Sequence, residues 1–194
     1  MFTMLTLSVL LRKESPYSQA QIDAYLARIE FPLDRYGQVT PGNASAEDVL
    51  DYLSALQKHH LTSVPFENLA LHYSKEHNNS LNQDDLFEKI VTRRKGGYCF
   101  ESNGFFGLIL QSLGFDSVSV GARVTLVSPV AGWDHQANLV SIGGMTYLVD
   151  VAFGGKLLAI LMSILTNSKD YRHNPYPPYA SGRGAHLEMG GDNR

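Results

Sequence analysis

Cysteine is almost missing from this 194-residue chain, which has one, Cys99. A single thiol excludes an internal disulfide, a C-x-x-C redox or zinc pattern and Cys/His metal ligation, so no metal is expected. The seven histidines do not fill the gap. His59, His60, His72 and His77 lack a ligand spacing with carboxylate support and read as surface or helix-end residues. Charge is sparse as well: 18% of residues are charged and the net charge is −3. Nothing in that balance offers a basic footprint for nucleic acid. Long apolar runs are also few. Met1 to Leu11 is apolar, but Arg12 and Lys13 follow it rather than precede it. No small-x-small cleavage site follows, and the run is too short to cross a bilayer. Residues 1–15 are therefore read as an N-terminal extension, arising from a misplaced start codon rather than a signal peptide. The protein is read as cytoplasmic, with no membrane or nucleic-acid partner.

The sequence does contain enough apolar residues, 44% of the chain, for one sizeable core or two small ones. Residues 16–115 read as a helical bundle. Ser18-Gln19-Ala20-Gln21 is a capping-box pattern, followed by Ile22, Tyr25, Leu26 and Ile29 at helical spacing, with Pro32 ending the helix. Ser45 opens a second helix with Val49, Tyr52, Leu53 and Leu56 on one face. A third starts at Asn82, carries Asp84 and Asp85 in its first turn, and uses Leu86, Ile90 and Val91. The fourth runs from Cys99 to about Leu113 with a stripe of Phe105, Leu108, Ile109 and Leu113, and stops at Gly114. Cys99 follows Arg93-Arg94-Lys95-Gly96-Gly97-Tyr98. It heads its helix, where the unpaired N–H groups, the helix dipole and neighbouring cations favour a thiolate.

After Gly114 the period changes to two. Val118, Val120, Ala122, Val124 and Leu126 alternate with Ser117, Ser119, Gly121, Arg123 and Thr125, predicting a strand buried on one face. Two further strands, over 136–142 and 145–151, flank Gly143-Gly144, a strong hairpin signal. If Ile142 pairs with Met145, then Ala137 faces Asp150 and His135 faces Ala152. His135 is then the diagonal neighbour of Asp150 on one face, about 7–8 Å away between Cα atoms. Asp134 points to the other face. Singly, His135 reads as a satisfied strand histidine and Asp150 as a strand-end residue. Together with Cys99 they are the three groups a thiol nucleophile needs.

Four segments resemble one family. Lys95-Gly96-Gly97-Tyr98-Cys99-Phe100-Glu101-Ser102-Asn103 resembles the R-G-G-x-C-x-E-x-N signature of the arylamine N-acetyltransferases, and Val64-Pro65-Phe66-Glu67-Asn68-Leu69 resembles their P-F-E-N-L segment. His135-Gln136-Ala137-Asn138-Leu139-Val140 and Tyr147 to Gly154 resemble their H-x-x-L-x-V and Y-x-V-D-V-G-F-G segments. The resemblance implies an α+β fold: an N-terminal helical bundle followed by an antiparallel β-barrel, with a cysteine-protease-like (transglutaminase-like) core. It implies a Cys99–His135–Asp150 triad. It also implies ping-pong transfer from acetyl-CoA, or another acyl-CoA, to a small aromatic amine or hydrazine. Glu67 either pairs with a basic residue beside Gly96 and Gly97 and props that loop, or is a helix-capping or exposed residue. Lys95 stands where the family has arginine and loses bidentate pairing, with Arg94 as the alternative partner. Ala152 replaces a family glycine.

Residues 116–155 then form a partial barrel, and 156–194 depart from the family pattern. The family continues with a third, lid-like domain. Here an apolar run, 157–162, precedes a Gly-, Pro- and Tyr-rich stretch expected to be poorly ordered. A retained intron, a frameshift or gene decay would explain it. The barrel is expected to end in an unpaired edge after the Asp150 strand, and to self-associate through it. Two other functions share the triad: a thiol hydrolase or transglutaminase-like enzyme, and a non-catalytic remnant. The donor (acetyl, propionyl or malonyl) and the amine acceptor are not legible.

Overall fold

The computed structural model describes residues 15–75, 77–124, 134–153, 164–165 and 187–189. Leu126, the apolar run 157–162 and residues 1–14 lie outside them. Helices come first and antiparallel strands follow, the α+β order expected. Helix α1 (Gln19–Arg28) opens on the capping box: the Gln21 side chain accepts the Ser18 N–H at 3.0 Å, and the Ser18 hydroxyl oxygen accepts the Gln21 N–H. Its Ile22, Tyr25, Leu26 and the following Ile29 are buried. Pro32 does not end α1. It sits at the start of a short helix, α2 (Leu33–Tyr36), that the apolar spacing does not reveal. Helix α3 (Ala46–Ser63) is capped by Ser45 and buries Gln57 and His60 beyond the four expected residues. Helix α4 (Leu69–Tyr73) was unforeseen because it buries none of its residues and so has no apolar period to read. Helix α5 (Gln83–Phe87), capped by Asn82, continues into a π-helical turn, Glu88–Thr92, that buries Ile90 and Val91.

Helix α6 (Cys99–Ser112) is the central element, and Gly114 at φ +87° leads the chain out of it. Phe105 and Ile109 are buried as predicted, but Phe106 and Leu110 are the other fully buried residues. Leu108 and Leu113 are only partly covered. A single stripe underestimates α6 because helices cover one side of it and the sheet the other. Its first turn buries polar groups too: Glu101, Ser102 and Asn103.

Among the described residues the sheet has five strands in the order β4-β3-β2-β1-β5: β1 (Asp116–Val124), β2 (His135–Ile142), β3 (Met145–Val149), β4 (Ile164–Leu165) and β5 (Leu187–Met189). The hairpin register is the one predicted, with Ile142 opposite Met145 and Asn138 opposite Val149. Gly143 and Gly144 take φ +58° and +80°, where side-chain-bearing residues are strained. The β1 expectation holds at Ala122, which is fully buried, and fails at Val118. Ser119 and Asn138, cross-strand partners, face α6 at Gly107, while Val118 on the opposite face is 56% exposed. The small-residue parity lets the helix approach closely, so it is the one that packs against α6.

The expected unpaired edge is also corrected. Thr146 and Tyr147 of β3 pair with Leu165 and Ile164, and β5 pairs with Ala122, Arg123 and Val124 of β1. Both strands come from the stretch after residue 155, so part of that stretch is built into the sheet. Among the described residues β4 and β5 do not pair with each other.

His60 is likewise corrected. It is fully buried, with Nδ1 3.1 Å from the Tyr25 hydroxyl and its ring 5.0 Å from that of Phe106. Burial, with Arg28 nearby, pushes its pKa down to about 3. His59 is half-buried and its Nδ1 lies 3.1 Å from the Ile29 carbonyl, while His72 and His77 are exposed as expected.

Candidate active site

The Gly96–Gly97 turn exists because two chain segments meet there without room for side chains. A Cβ on Gly96 would lie 1.7 Å from the Pro65 carbonyl oxygen, and one on Gly97 would lie 2.8 Å from the Glu101 Cβ. The Gly97 N–H donates to the Pro65 carbonyl at 3.3 Å, and the Glu67 N–H donates to the Gly97 carbonyl at 3.0 Å. This stitches the Pro65–Glu67 strip to the turn, and Cys99 follows as the first residue of α6. The Cys99 side chain is partly exposed, and its thiol lies 3.8 Å from the Asp134 carbonyl oxygen.

His135 opens β2 and is 3% exposed. Its Nε2 lies 2.6 Å from Asp150 Oδ2, and Cys99 lies near enough to the ring to help raise its pKa. With Nε2 held by the carboxylate, Nδ1 is the nitrogen left to meet sulfur. Phe153 stands perpendicular to the imidazole at 5.4 Å. Burial alone would lower the pKa of His135, but Asp150 and Cys99 outweigh burial and push it up to about 9.

Asp150 lies just past the end of β3 and is held on every side. Its Oδ1 accepts from Asn103 Nδ2 at 2.9 Å and from the Ala152 N–H at 2.8 Å, and its carbonyl accepts from Gln57 Nε2 at 2.9 Å. Asn103 is the larger hub. Its Nδ2 also donates to the Gln136 carbonyl at 2.6 Å, its Oδ1 accepts the Val151 N–H, and its carbonyl accepts from Asn138 Nδ2. Sequence reasoning gave Asn103 and Gln57 no role. For Asn103 the signal was its spacing, four residues after Cys99 and so on the same face of α6.

The supporting residues fall differently. The cation near Glu67 is Lys89, not Arg94 or Lys95: Lys89 Nζ is 3.7 Å from Glu67 Oε1 and 2.7 Å from Glu101 Oε1. Glu67 Oε2 accepts the Leu69 N–H at 2.7 Å, so Glu67 both pairs and caps. The Arg94 and Lys95 side chains are exposed. Their backbones do the local work. Arg94, at φ +53°, offers its carbonyl to Arg28, and the Lys95 N–H donates to the Lys89 carbonyl. The π-helical turn, invisible in an apolar pattern, moves the cationic partner six residues upstream of the place expected.

The site therefore has a thiol at a helix start, an imidazole on it, and a carboxylate fixing the imidazole. Such a set can form and resolve a covalent thioester. Among the described residues there is no group of three or more His, Cys, Asp or Glu side chains able to hold a metal ion. None of the described helices is long and apolar enough to cross a membrane.

Comparison with known proteins agrees with this geometry. A family model described as N-acetyltransferase matches residues 49–189, and so extends into β5. An N-malonyltransferase of Fusarium pseudograminearum is 39% identical over 154 residues, covering 71% of this chain and 45% of that protein. The solved arylamine N-acetyltransferase of Salmonella typhimurium superposes with a TM-score of 0.63 at 28% identity, covering 92% of this chain and 61% of that one. The Mycobacterium marinum arylamine N-acetyltransferase solved in complex with CoA gives a TM-score of 0.59 at 31% identity, covering 76% of this chain and 51% of that one. The chain spans about half the length of the curated relatives it matches.

Proposed function

Because this chain belongs to the arylamine N-acetyltransferase family, we propose that it transfers an acyl group from acyl-CoA to an aromatic amine or hydrazine through an acyl-Cys99 intermediate. The observation that carries this reading is the continuous link from Cys99 through His135 to Asp150. The Cys99 thiol gives its proton to His135 and the sulfur attacks the thioester carbonyl. The carbon–sulfur bond to CoA breaks, and CoA leaves with a proton from the imidazolium. The amine nitrogen then attacks the acyl-cysteine, its proton passes to His135, and the amide departs as the Cys99 sulfur is released. Asp150 supports the imidazolium that forms in each half-reaction. An arylamine suits this scheme because its weakly basic nitrogen is neutral near pH 7 and ready to attack. Phe66, 56% exposed and paired with Gly97 two residues before Cys99, offers an apolar surface for its ring.

The relatives differ in acyl group, one being named an N-malonyltransferase and others N-acetyltransferases. Acetyl-CoA is the donor proposed, with malonyl-CoA as the comparison. The test is intact-protein mass spectrometry after each acyl-CoA is added without amine. An acetyl adduct on Cys99 that disappears on adding an arylamine, and is absent from Cys99→Ser, is the expected result. An adduct lost to water at the same rate with or without amine would assign a thiol hydrolase instead. A Cys99 that takes no acyl group from either donor would assign a non-catalytic remnant.

A further inference from the structure

Lys89 ties the Glu67 segment and its own helical turn to the Cys99 helix through charge. Its ammonium lies 2.7 Å from Glu101 Oε1 and 3.7 Å from Glu67 Oε1, and its side chain is only 16% exposed. The Glu101 side chain is 1% exposed, so this pair is screened far less than a surface bridge. Glu101 is the second residue after Cys99. Its other oxygen accepts the Tyr98 N–H at 3.2 Å at the start of α6. Unpaired, that buried carboxylate would repel a thiolate formed on the same helical turn. Lys89 also fixes the turn through its backbone, whose carbonyl accepts the Lys95 N–H at 3.0 Å. The remaining charges are accounted for. Glu88 and Arg93 pair with each other, Asp85 accepts from the Ser80 hydroxyl, and Lys95 is exposed. Besides Glu101, the titratable residues around Cys99 include His135, Tyr98 next to it in the chain, and Asp134, whose carbonyl lies 3.8 Å from the thiol.

We propose that Lys89 is a positioning residue for the Cys99 nucleophile: it offsets the Glu101 and Glu67 carboxylates beside the start of the Cys99 helix, and it clamps the Pro65–Glu67 strip to the Gly96–Gly97 turn. The proposal rests on Cys99 being the reactive thiol of the proposed function, whichever group it accepts.

The experiment measures the pH profile of Cys99 alkylation by iodoacetamide in Lys89→Met, Lys89→Arg and Glu101→Gln, with folding checked by near-ultraviolet circular dichroism. Lys89→Met is expected to move the alkylation midpoint up by about one pH unit, slowing the reaction about tenfold at pH 7. Lys89→Arg is expected to retain most of the wild-type profile. Glu101→Gln keeps an oxygen for the Tyr98 N–H but removes the charge, and is expected to move the midpoint down. Should Lys89→Met leave Glu101 buried without a partner and fail to fold, Glu101→Gln decides alone. Folded variants whose profiles coincide with wild type would overturn the proposal, as a purely structural bridge alters stability and not the midpoint. Alkylation needs no acyl-CoA. A shifted midpoint in a protein that forms no acyl adduct would therefore leave this inference standing while the proposed function fell.

Discussion

Asn103 fixes the geometry of Asp150 without carrying charge. It donates to one carboxylate oxygen while the other stays on His135, and its own oxygen takes the Val151 N–H. A neutral amide is the suitable partner here, because a cation would compete with the imidazolium for the carboxylate. The raised pKa of His135 consequently depends on Asp150 and Cys99 working against burial. Replacing Asp150 with Asn should therefore lower the His135 pKa from about 9 toward or below the ordinary 6.5, with burial then less opposed. Titrating the His135 ring signals by NMR checks this, and a midpoint still near 9 would mean that Asp150 is not what holds the proton.

Helix α6 meets β1 and β2 across small residues, the helix carrying Cys99 and β2 carrying His135. A Cβ on Gly107 would sit 2.5 Å from Asn138 Oδ1 and 3.1 Å from Ser119 Oγ. Gly107→Ala should cost about 1–3 kcal/mol by forcing β1 and β2 off the helix. Gly42→Ala, with nothing within 4 Å, should leave stability unchanged or slightly raised. Urea unfolding of both variants measures the difference, and equal midpoints would show that this interface yields freely. These elements also show what could be read in advance. The hairpin was legible because two glycines and a period of two leave one register. Helices α1 and α3 were legible from caps and buried stripes. What escaped detection had no such period: α4 buries nothing, the π-helical turn breaks the helical spacing, and β4 and β5 are two and three residues long. The ion pair around Lys89 went unseen for the same reason, since the π-helical turn decides which cation reaches Glu67. On β1 the expected face is buried at Ala122 but not at Val118, and Ser119 reaches Gly107 of α6 from the other face.

The whole molecule has a titrating histidine limiting its stability on each side of neutrality. His135 has a folded-state pKa of about 9, above its ordinary value of 6.5, so its contribution is complete below about pH 6.5 and is lost as pH rises through 9. His60 has a folded-state pKa of about 3, so its contribution is complete above pH 6.5 and is lost as pH falls toward 3. A single group imposes a slope of at most about 1.4 kcal/mol per pH unit. His60→Gln, which keeps a polar partner for Tyr25, should flatten the acid limb and leave the alkaline limb in place. Urea midpoints from pH 4 to 9.5 read both limbs, and an unchanged acid slope would remove His60 from the account. The tight Gly143–Gly144 turn also bears on the order of folding. His135 and Asp150 are 15 residues apart and joined by one hairpin, whereas Cys99 must wait for α6 to dock on the finished sheet. Local hairpins close in about 1–10 μs, well ahead of contacts between distant elements. A chain emerging during synthesis would thus assemble the His135–Asp150 pair before Cys99 is seated beside it.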